Sequence, residues 1–169
     1  MNDTEQLTEL ANTMSGGTHH ALLEWTALIA IFATIALAIA HYANSKDRTV
    51  AVFGVAFFFL GIMEAFHTLS AMRLLGTNID YHNLNPYTWA LARGFSAIAL
   101  LCCVIVSLRE RSMGSASSKR LTILLSVIFG SAAFLLIRHT MSSEQLPQTQ
   151  FPNALVTRPY DAIPLILYI

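Results

Sequence analysis

Charged residues are scarce in this sequence, and neither sign predominates. Asp, Glu, Lys and Arg make up 12% of the 169 residues, whereas a typical soluble domain carries about 25% charged residues. The formal net charge is +0, which excludes the overall basic or acidic field that attracts nucleic acid or another polyanion. Because hydrophobic residues make up 54% and the mean hydropathy is +0.54, the composition indicates an integral membrane protein whose partner is the lipid bilayer.

Cysteine is almost absent, and positive charge is missing from the N-terminus. The two cysteines, Cys102 and Cys103, are adjacent within an apolar run, which excludes a disulfide framework and the spacing of a metal finger. We expect them to face lipid or to pack between helices. The first 18 residues contain Asp3, Glu5 and Glu9 but no Lys or Arg, the opposite of the positive segment that opens a cleavable secretory signal. The first apolar segment is therefore expected to remain in the mature protein.

The motifs of common enzymes are missing too. The sequence contains no Walker motif, nucleophile elbow, HExxH motif or pair of carboxylates spaced as in hydrolases. Nothing in these residues predicts catalysis, and we expect the chain not to be an enzyme by itself. Any catalytic output domain would lie beyond residue 169.

Long apolar stretches, by contrast, are present. A spanning helix needs about 20 predominantly apolar residues to cross ~30 Å of hydrocarbon. Four stretches meet this requirement: residues 20–42, 50–72, 86–108 and 121–139. The sequence thus predicts an all-α integral membrane helix bundle with four complete transmembrane helices. Residues 1–19 are expected to form an external N-terminal tail, and residues 20–169 one transmembrane domain.

The segments between the spans carry helix-start signals and an uneven distribution of positive charge. Asp47 and Asn85-Pro86 are typical of the residues that open a helix, so they mark the starts of the second and third spans. Lys and Arg in short loops favour the cytoplasmic side, and they are concentrated between the first and second spans and between the third and fourth. These residues are Lys46, Arg48, Arg109, Arg111, Lys119 and Arg120. The N-terminal tail has none and is therefore predicted to lie outside.

The last segment is apolar but short. Residues 160–169 re-enter the membrane in this topology. About 10 residues at 1.5 Å per residue cover ~15 Å, which is half of the hydrocarbon thickness. We therefore expect the start of a fifth spanning helix, and a chain that is the N-terminal piece of a longer protein.

Apart from residues at the very ends of the predicted spans, four charged or imidazole side chains lie inside them: Glu24, Glu64, His67 and Arg93. A charged side chain deep in a bilayer costs about 2.5–3.5 kcal/mol on insertion scales, so such residues indicate a functional site by default. In the predicted topology all four lie near the outer ends of three different helices. We expect them to face inward as one cluster in which Arg93 compensates one or both glutamates, because this arrangement lowers the insertion cost most.

Histidines make this cluster a candidate ligand site. His20 is four residues from Glu24, and His67 is three residues from Glu64, so each pair shares a helix face. His139 is expected to enter the same layer from the fourth span. Imidazole and carboxylate groups on separate helices are how metal and polar-ligand sites in helix bundles are built. The predicted metal ligands are His20, Glu64, His67 and His139.

Other interpretations of the same residues stay open at this point. The histidine–glutamate pair of the first span is close enough to the membrane boundary to consist of ordinary interfacial residues. Glu64 and Arg93 could form a buried ion pair that fixes helix register and binds nothing. A haem- or metal-binding redox protein would use His67 and a second histidine, His20 or His139, as axial ligands. A proton-coupled transporter subunit would use Glu64 as its titrating group.

Three short stretches resemble a known family in their order and in their positions at helix ends. They read His20-Ala-Leu-Leu-Glu24, Glu64-Ala-Phe-His67-Thr-Leu-Ser and Trp89-Ala-Leu-Ala-Arg93. Together they are similar to the third class of bacterial membrane-associated sensor domains of the MASE type. Those domains form the N-terminal input of sensor histidine kinases and diguanylate cyclases. The resemblance implies an input site formed by His20, Glu24, Glu64, His67, Trp89 and Arg93.

The resemblance also implies a location and a role for the whole chain. It implies a multi-pass protein of the bacterial inner membrane with a periplasmic N-terminus, in which residues 20–169 form a sensory domain. From the cluster itself, rather than from the resemblance, we expect detection of a small ligand, a metal ion or a redox state, with a metal ion or haem as the candidate cofactor. The sensory domain would signal to a cytoplasmic kinase or cyclase domain absent from this chain. Sensors of this type work as dimers, so a homodimer joined through the missing cytoplasmic region is expected.

Overall fold

The computed structural model describes residues 3–76, 80–110, 115–143, 145–151 and 153–168, and its regular structure within these ranges is helical. The elements are α1 (Asp3–Ser45), α2 (Arg48–Ala71), α3 (Tyr81–Glu110), α4 (Ser115–Ser142), a 3-10 turn (Pro159–Asp161) and α5 (Ala162–Tyr168). Residues 1–2 of the predicted tail, Arg111 of the predicted cytoplasmic charge and residue 169 of the predicted fifth segment lie outside the described residues.

Four of these helices are long and apolar enough to cross a membrane. The candidate spans are Thr18–Ser45, Arg48–Ala71, Tyr81–Arg109 and Lys119–Ser142. Large apolar side chains are exposed along α1 and α4, Leu37 by 70% and Phe134 by 61%, as lipid contact requires. The all-α, four-span prediction is confirmed. Because α1 begins at Asp3, residues 3–19 of the predicted tail continue the helix of the first span.

A two-residue turn joins α1 to α2. Lys46 takes a left-handed backbone conformation with φ 54°, and its N–H donates to the Tyr42 carbonyl at 2.9 Å, which ends α1. Asp47 then caps α2, because its side chain accepts a hydrogen bond from the Thr49 N–H at 2.9 Å. The predicted start signal at Asp47 is confirmed, and so short a turn makes α1 and α2 antiparallel neighbours.

α3 begins at Tyr81, five residues earlier than the sequence predicted. Asp80 supplies the cap: its Oδ1 accepts from the His82 N–H at 3.0 Å, and its carbonyl accepts from the Leu84 N–H at 2.9 Å. Pro86 therefore lies inside the helix, where its ring removes one backbone donor. The predicted start at Asn85-Pro86 was wrong because the aspartate cap outweighs the preference of proline for the first turn.

α2 is the central helix of the bundle. It packs against α1, α3 and α4, while α3 also contacts α4 and α5. The core between α2, α3 and α4 contains small side chains such as Ala56 and Ala92, together with the edge-to-face pair Phe95 and Phe129. Cys103 belongs to the same core, which confirms a packing role for it. Small residues let helices approach closely in a membrane, where dispersion contacts rather than apolar burial drive association.

The register of α1 on α2 repeats every seven residues. A Cβ built on Gly54 lies 3.5 Å from the Ala38 Cβ, and one built on Gly61 lies 3.0 Å from Cγ2 of Ile31. Further along the same seam, the Thr68 hydroxyl meets the Glu24 carboxylate at 3.2 Å. A seven-residue step keeps the same faces of two helices in contact, as in a coiled coil. The two glycines therefore fix a register that sets Glu24 against the last turns of α2.

The segment after α4 is attached to the start of α3. Asn83 Nδ2 donates to the Pro147 carbonyl at 2.9 Å, and Asn83 Oδ1 accepts hydrogen bonds from the backbone N–H and the hydroxyl of Thr149. Arg158 and Asp161 form an ion pair at 3.0 Å in the turn before α5. These contacts hold residues 145–151 over the end of the bundle where α2 ends and α3 begins, called the α2–α3 end below.

Candidate functional site

Three helices place ionisable side chains together at the α2–α3 end. Glu24 of α1 and both Glu64 and His67 of α2 are buried, and Arg93 of α3 reaches the same layer. We call these four residues with His20, Thr68 and Thr88 the polar cluster. Its existence follows from the α1–α2 register and from the packing of α3 on α2. Placing ionisable residues inside the bundle lowers the free-energy cost of inserting their charge into the membrane.

Glu64 and Arg93 form the ion pair that joins α2 to α3. Arg93 Nη2 donates to Glu64 Oε1 at 2.9 Å; the Glu64 side chain is 1% exposed and that of Arg93 39%. The other carboxylate oxygen of Glu64 is buried without a hydrogen-bond partner. Of the two glutamates, it is therefore Glu64 that Arg93 compensates directly.

Glu24 faces histidines from two helices. Its Oε1 lies 3.5 Å from Nε2 of His67 on α2 and 3.7 Å from Nε2 of His20 on α1. Its other oxygen, Oε2, accepts a hydrogen bond from the Thr68 hydroxyl at 3.2 Å. The His20 side chain is 53% exposed, whereas that of His67 is 2% exposed. One carboxylate oxygen of Glu24 is thus held by Thr68, and the other points between two imidazoles.

Thr88 fixes the state of the His67 ring. The Thr88 hydroxyl donates its single proton to the Asn85 carbonyl at 3.0 Å and lies 3.0 Å from Nδ1 of His67. With its proton committed, the hydroxyl can only accept from the ring, so we assign the hydrogen to Nδ1. In the neutral ring, Nε2 then carries a lone pair. This Nε2 is buried without a hydrogen-bond partner and faces Glu24.

Trp89 contributes indirectly, through cations on both sides. The Arg93 guanidinium carbon is 5.9 Å from the centre of the Trp89 ring, and that of Arg158 is 5.4 Å away. Arg158 in turn pairs with Asp161. Cation–π contacts of this length stabilise the orientation of an arginine side chain. Trp89 therefore positions Arg93 and links the polar cluster to the turn before α5.

The structure brings together only part of the predicted metal-ligand set. The ligand atoms of His20, Glu24 and His67 all lie within 4.8 Å of one another. Glu64 is outside this group because its carboxylate turns toward Arg93 on α3. His139 is outside it as well: it lies in the last turn of α4 with an exposed side chain. The exposure of His139 depends on which face of α4 packs against α2. The sequence around a single histidine does not show that face.

Two hydroxyl residues of the polar cluster were missed by the sequence analysis. Thr68 and Thr88 are fully buried and hold Glu24 and His67 respectively. The available signal was their position, because Thr68 lies inside the second quoted motif and Thr88 directly precedes the third. Their partners lie 44 and 21 residues away, so only the helix register could have paired them.

A polar cavity of about 240 Å³ opens at the α2–α3 end, next to the polar cluster. Its lining includes Ser70 and Asn85, whose Oγ and Oδ1 atoms are buried without hydrogen-bond partners. Arg73, His82 and Gln150 also line it. Since the backbone carbonyl of Asn85 also accepts from Thr88, Asn85 joins the cavity to the polar cluster. The cavity gives a small polar solute access to this end of the bundle.

Comparison with known proteins identifies the family. The family model for the MASE3 membrane-associated sensor domain matches residues 14–163, which include the polar cluster and the whole of all four candidate spans. Searches of curated proteins and of solved structures returned no match. The matched region covers most of the chain. The protein therefore belongs to the MASE3 family of membrane-associated sensor domains, as its three motifs indicated.

Proposed function

We propose that this chain is the sensory input domain of a bacterial inner-membrane signalling protein, with the polar cluster as its ligand site near the periplasmic surface. Occupancy of the cluster changes the packing of α1, α2 and α3, and a cytoplasmic histidine kinase or diguanylate cyclase domain reads the change. The observation that carries the proposal is the burial of Glu24, Glu64 and His67 together at one end of three helices.

Two neighbouring residues of α2 contact different helices, which supports signal transmission through α2. Glu64 and His67 are three residues apart on α2, yet Glu64 pairs with Arg93 of α3 while His67 faces Glu24 of α1. A ligand that changes the contact of His67 with α1 also acts on the helix that holds α3. A ligand shifts such an equilibrium by its differential affinity for the two helix arrangements.

The distribution of positive charge supports the proposed orientation. Lys46 and Arg48 flank the α1–α2 turn, at the opposite end of the bundle from the polar cluster. Arg109 at the end of α3 lies at that same opposite end. Lys and Arg in short connections favour the cytoplasm, so the polar cluster and its cavity would face the periplasm. A soluble periplasmic ligand then reaches the site without crossing the membrane.

The output of the complete gene product tests the proposed function. We expect Glu64→Gln and Arg93→Ala each to change basal kinase or cyclase activity in membrane vesicles by about fivefold or more, the range typical of allosteric coupling. Both variants break the same ion pair, so both should shift activity in the same direction. Arg138→Ala, which removes an exposed charge from α4, should leave activity unchanged at equal membrane levels. Unaltered output in both cluster variants would contradict a sensory role.

A further inference from the structure

We propose that His20, Glu24 and His67 bind a divalent transition-metal ion of the zinc class. His20 Nε2, Glu24 Oε1 and His67 Nε2 are the ligand atoms. That this ion is the signal of the domain rests on the proposed function above, whereas the binding of the ion does not.

The distances in this group suit an ion better than direct contacts. Glu24 Oε1 is 3.5 Å from His67 Nε2 and 3.7 Å from His20 Nε2, beyond ordinary hydrogen bonds of about 2.7–3.2 Å. Two ligand atoms at about 2.0–2.2 Å from a tetrahedral zinc ion lie roughly 3.3–3.6 Å apart. All three ligand atoms lie within 4.8 Å of one another, so side-chain rotation would bring them into coordination range of one ion.

The tautomer of His67 favours a cation, rather than a proton donor, next to its Nε2 atom. With the hydrogen on Nδ1 donated to Thr88, the neutral ring directs the lone pair of Nε2 toward a carboxylate oxygen. Two electron-rich atoms then face each other in a buried space, and Nε2 has no hydrogen-bond partner. A metal ion between them would satisfy both. The same ring nitrogen arrangement is found in metal-bound histidines, which donate their other N–H to a neighbouring acceptor.

Glu24 is held in a matching way. Thr68 donates to Oε2, which fixes the carboxylate plane and leaves Oε1 for the ion. Metal-binding carboxylates are commonly held by such hydrogen bonds. Arg93 is committed to Glu64, so the buried charge of Glu24 faces imidazoles rather than a permanent cation. A divalent ion would supply the missing positive charge.

The ligand types define the class of ion. Two imidazole nitrogens with one carboxylate oxygen suit zinc, nickel, cobalt or copper(II), whereas calcium and magnesium prefer oxygen ligands alone. Three protein ligands would leave a fourth position of a tetrahedral ion open. Haem fits less well, because Glu24 Oε1 at 3.5 Å from His67 Nε2 occupies space that the porphyrin ring would need.

Titration of the purified chain with Co²⁺ tests the binding. The protein is prepared in detergent without a polyhistidine tag, depleted of metal with a chelator, and followed by visible absorption. We expect one Co²⁺ per chain with the absorption of four-coordinate cobalt, displaced by Zn²⁺. Glu24→Gln and His67→Gln should each weaken Zn²⁺ binding more than about 100-fold, since loss of a residue that merely holds a ligand costs about 10–100-fold. Thr88→Val should fall within that smaller range.

Matched controls distinguish this site from nonspecific metal binding at exposed histidines. His41→Gln and His139→Gln remove exposed histidines and should leave the affinity unchanged. His20→Gln changes an exposed side chain with little risk to folding and should still weaken Zn²⁺ binding at least about tenfold. Absence of Co²⁺ binding, or equal affinity in His20→Gln, His67→Gln and His139→Gln, would overturn the metal site.

The two proposals can fail separately. Native Zn²⁺ binding with output that ignores Glu64→Gln and Arg93→Ala would leave the metal site standing and refute the sensory role. Output that responds to those variants in a chain that binds no metal would refute the metal site and leave the sensory role standing.

Discussion

Arg93→Ala is expected to lower the free energy of unfolding by about 3 kcal/mol. The variant leaves Glu64, whose side chain is 1% exposed, without its cation. Breaking a buried ion pair by removing one partner costs about 3–5 kcal/mol, and the lower end applies because Arg93 is 39% exposed. Equilibrium unfolding in detergent with increasing denaturant measures the change.

A second substitution shows whether the loss of stability comes from the uncompensated carboxylate of Glu64. Glu64→Gln in the Arg93→Ala background removes the uncompensated charge and should restore most of the lost stability. Arg138→Ala, an exposed arginine of α4, should change stability by less than about 0.5 kcal/mol. A double variant no more stable than Arg93→Ala would show that Glu64 and Arg93 are not partners.

A disulfide between positions 38 and 54 is expected to stabilise the bundle by about 3 kcal/mol, the model value for closing a loop of about 15 residues. The Ala38 Cβ and a Cβ built on Gly54 are 3.5 Å apart, within the range found in disulfides. The pair Ala38→Cys and Gly54→Cys is made with Cys102 and Cys103 replaced by alanine. Oxidised and reduced samples are compared by thermal unfolding and by gel mobility after a protease cut in the turn.

The matched control moves the second cysteine to the other side of α2. Ala56→Cys with Ala38→Cys places one thiol in the core that α2 shares with α3 and α4, away from α1. This pair should not cross-link within the bundle. Efficient cross-linking of 38 with 56 instead of 54 would mean a different rotation of α2, and the contacts of Glu24 with Thr68 and His67 would then be lost.

Local features of the sequence were enough to predict the fold and the four ionisable side chains at the centre of the cluster. Spanning helices depend on runs of about 20 apolar residues, which any window of the chain displays. The cost of burying charge in lipid then requires Glu24, Glu64, His67 and Arg93 to face inward. The Asp47 cap depends only on its own neighbours, and it was also predicted correctly.

The sequence anticipated an ion pair between Glu64 and Arg93, but the histidine partners of Glu24 could not be predicted, because they depend on helix register and rotation. The pairing of Glu24 with His67 follows from the close approach of α1 to α2 at Gly54 and Gly61. The sequence of a single helix does not show how that helix is aligned with its neighbour. The same limit applies to His139, whose exposed position depends on the rotation of α4.

The most direct test of the buried metal-binding cluster is the position of zinc in crystals of the native protein grown with Zn²⁺ and measured at the zinc absorption edge. We expect an anomalous-difference peak about 2.0–2.2 Å from His20 Nε2, Glu24 Oε1 and His67 Nε2. Glu24 and His67 on separate lipid-facing surfaces, or zinc bound only at exposed histidines such as His41 and His139, would contradict it.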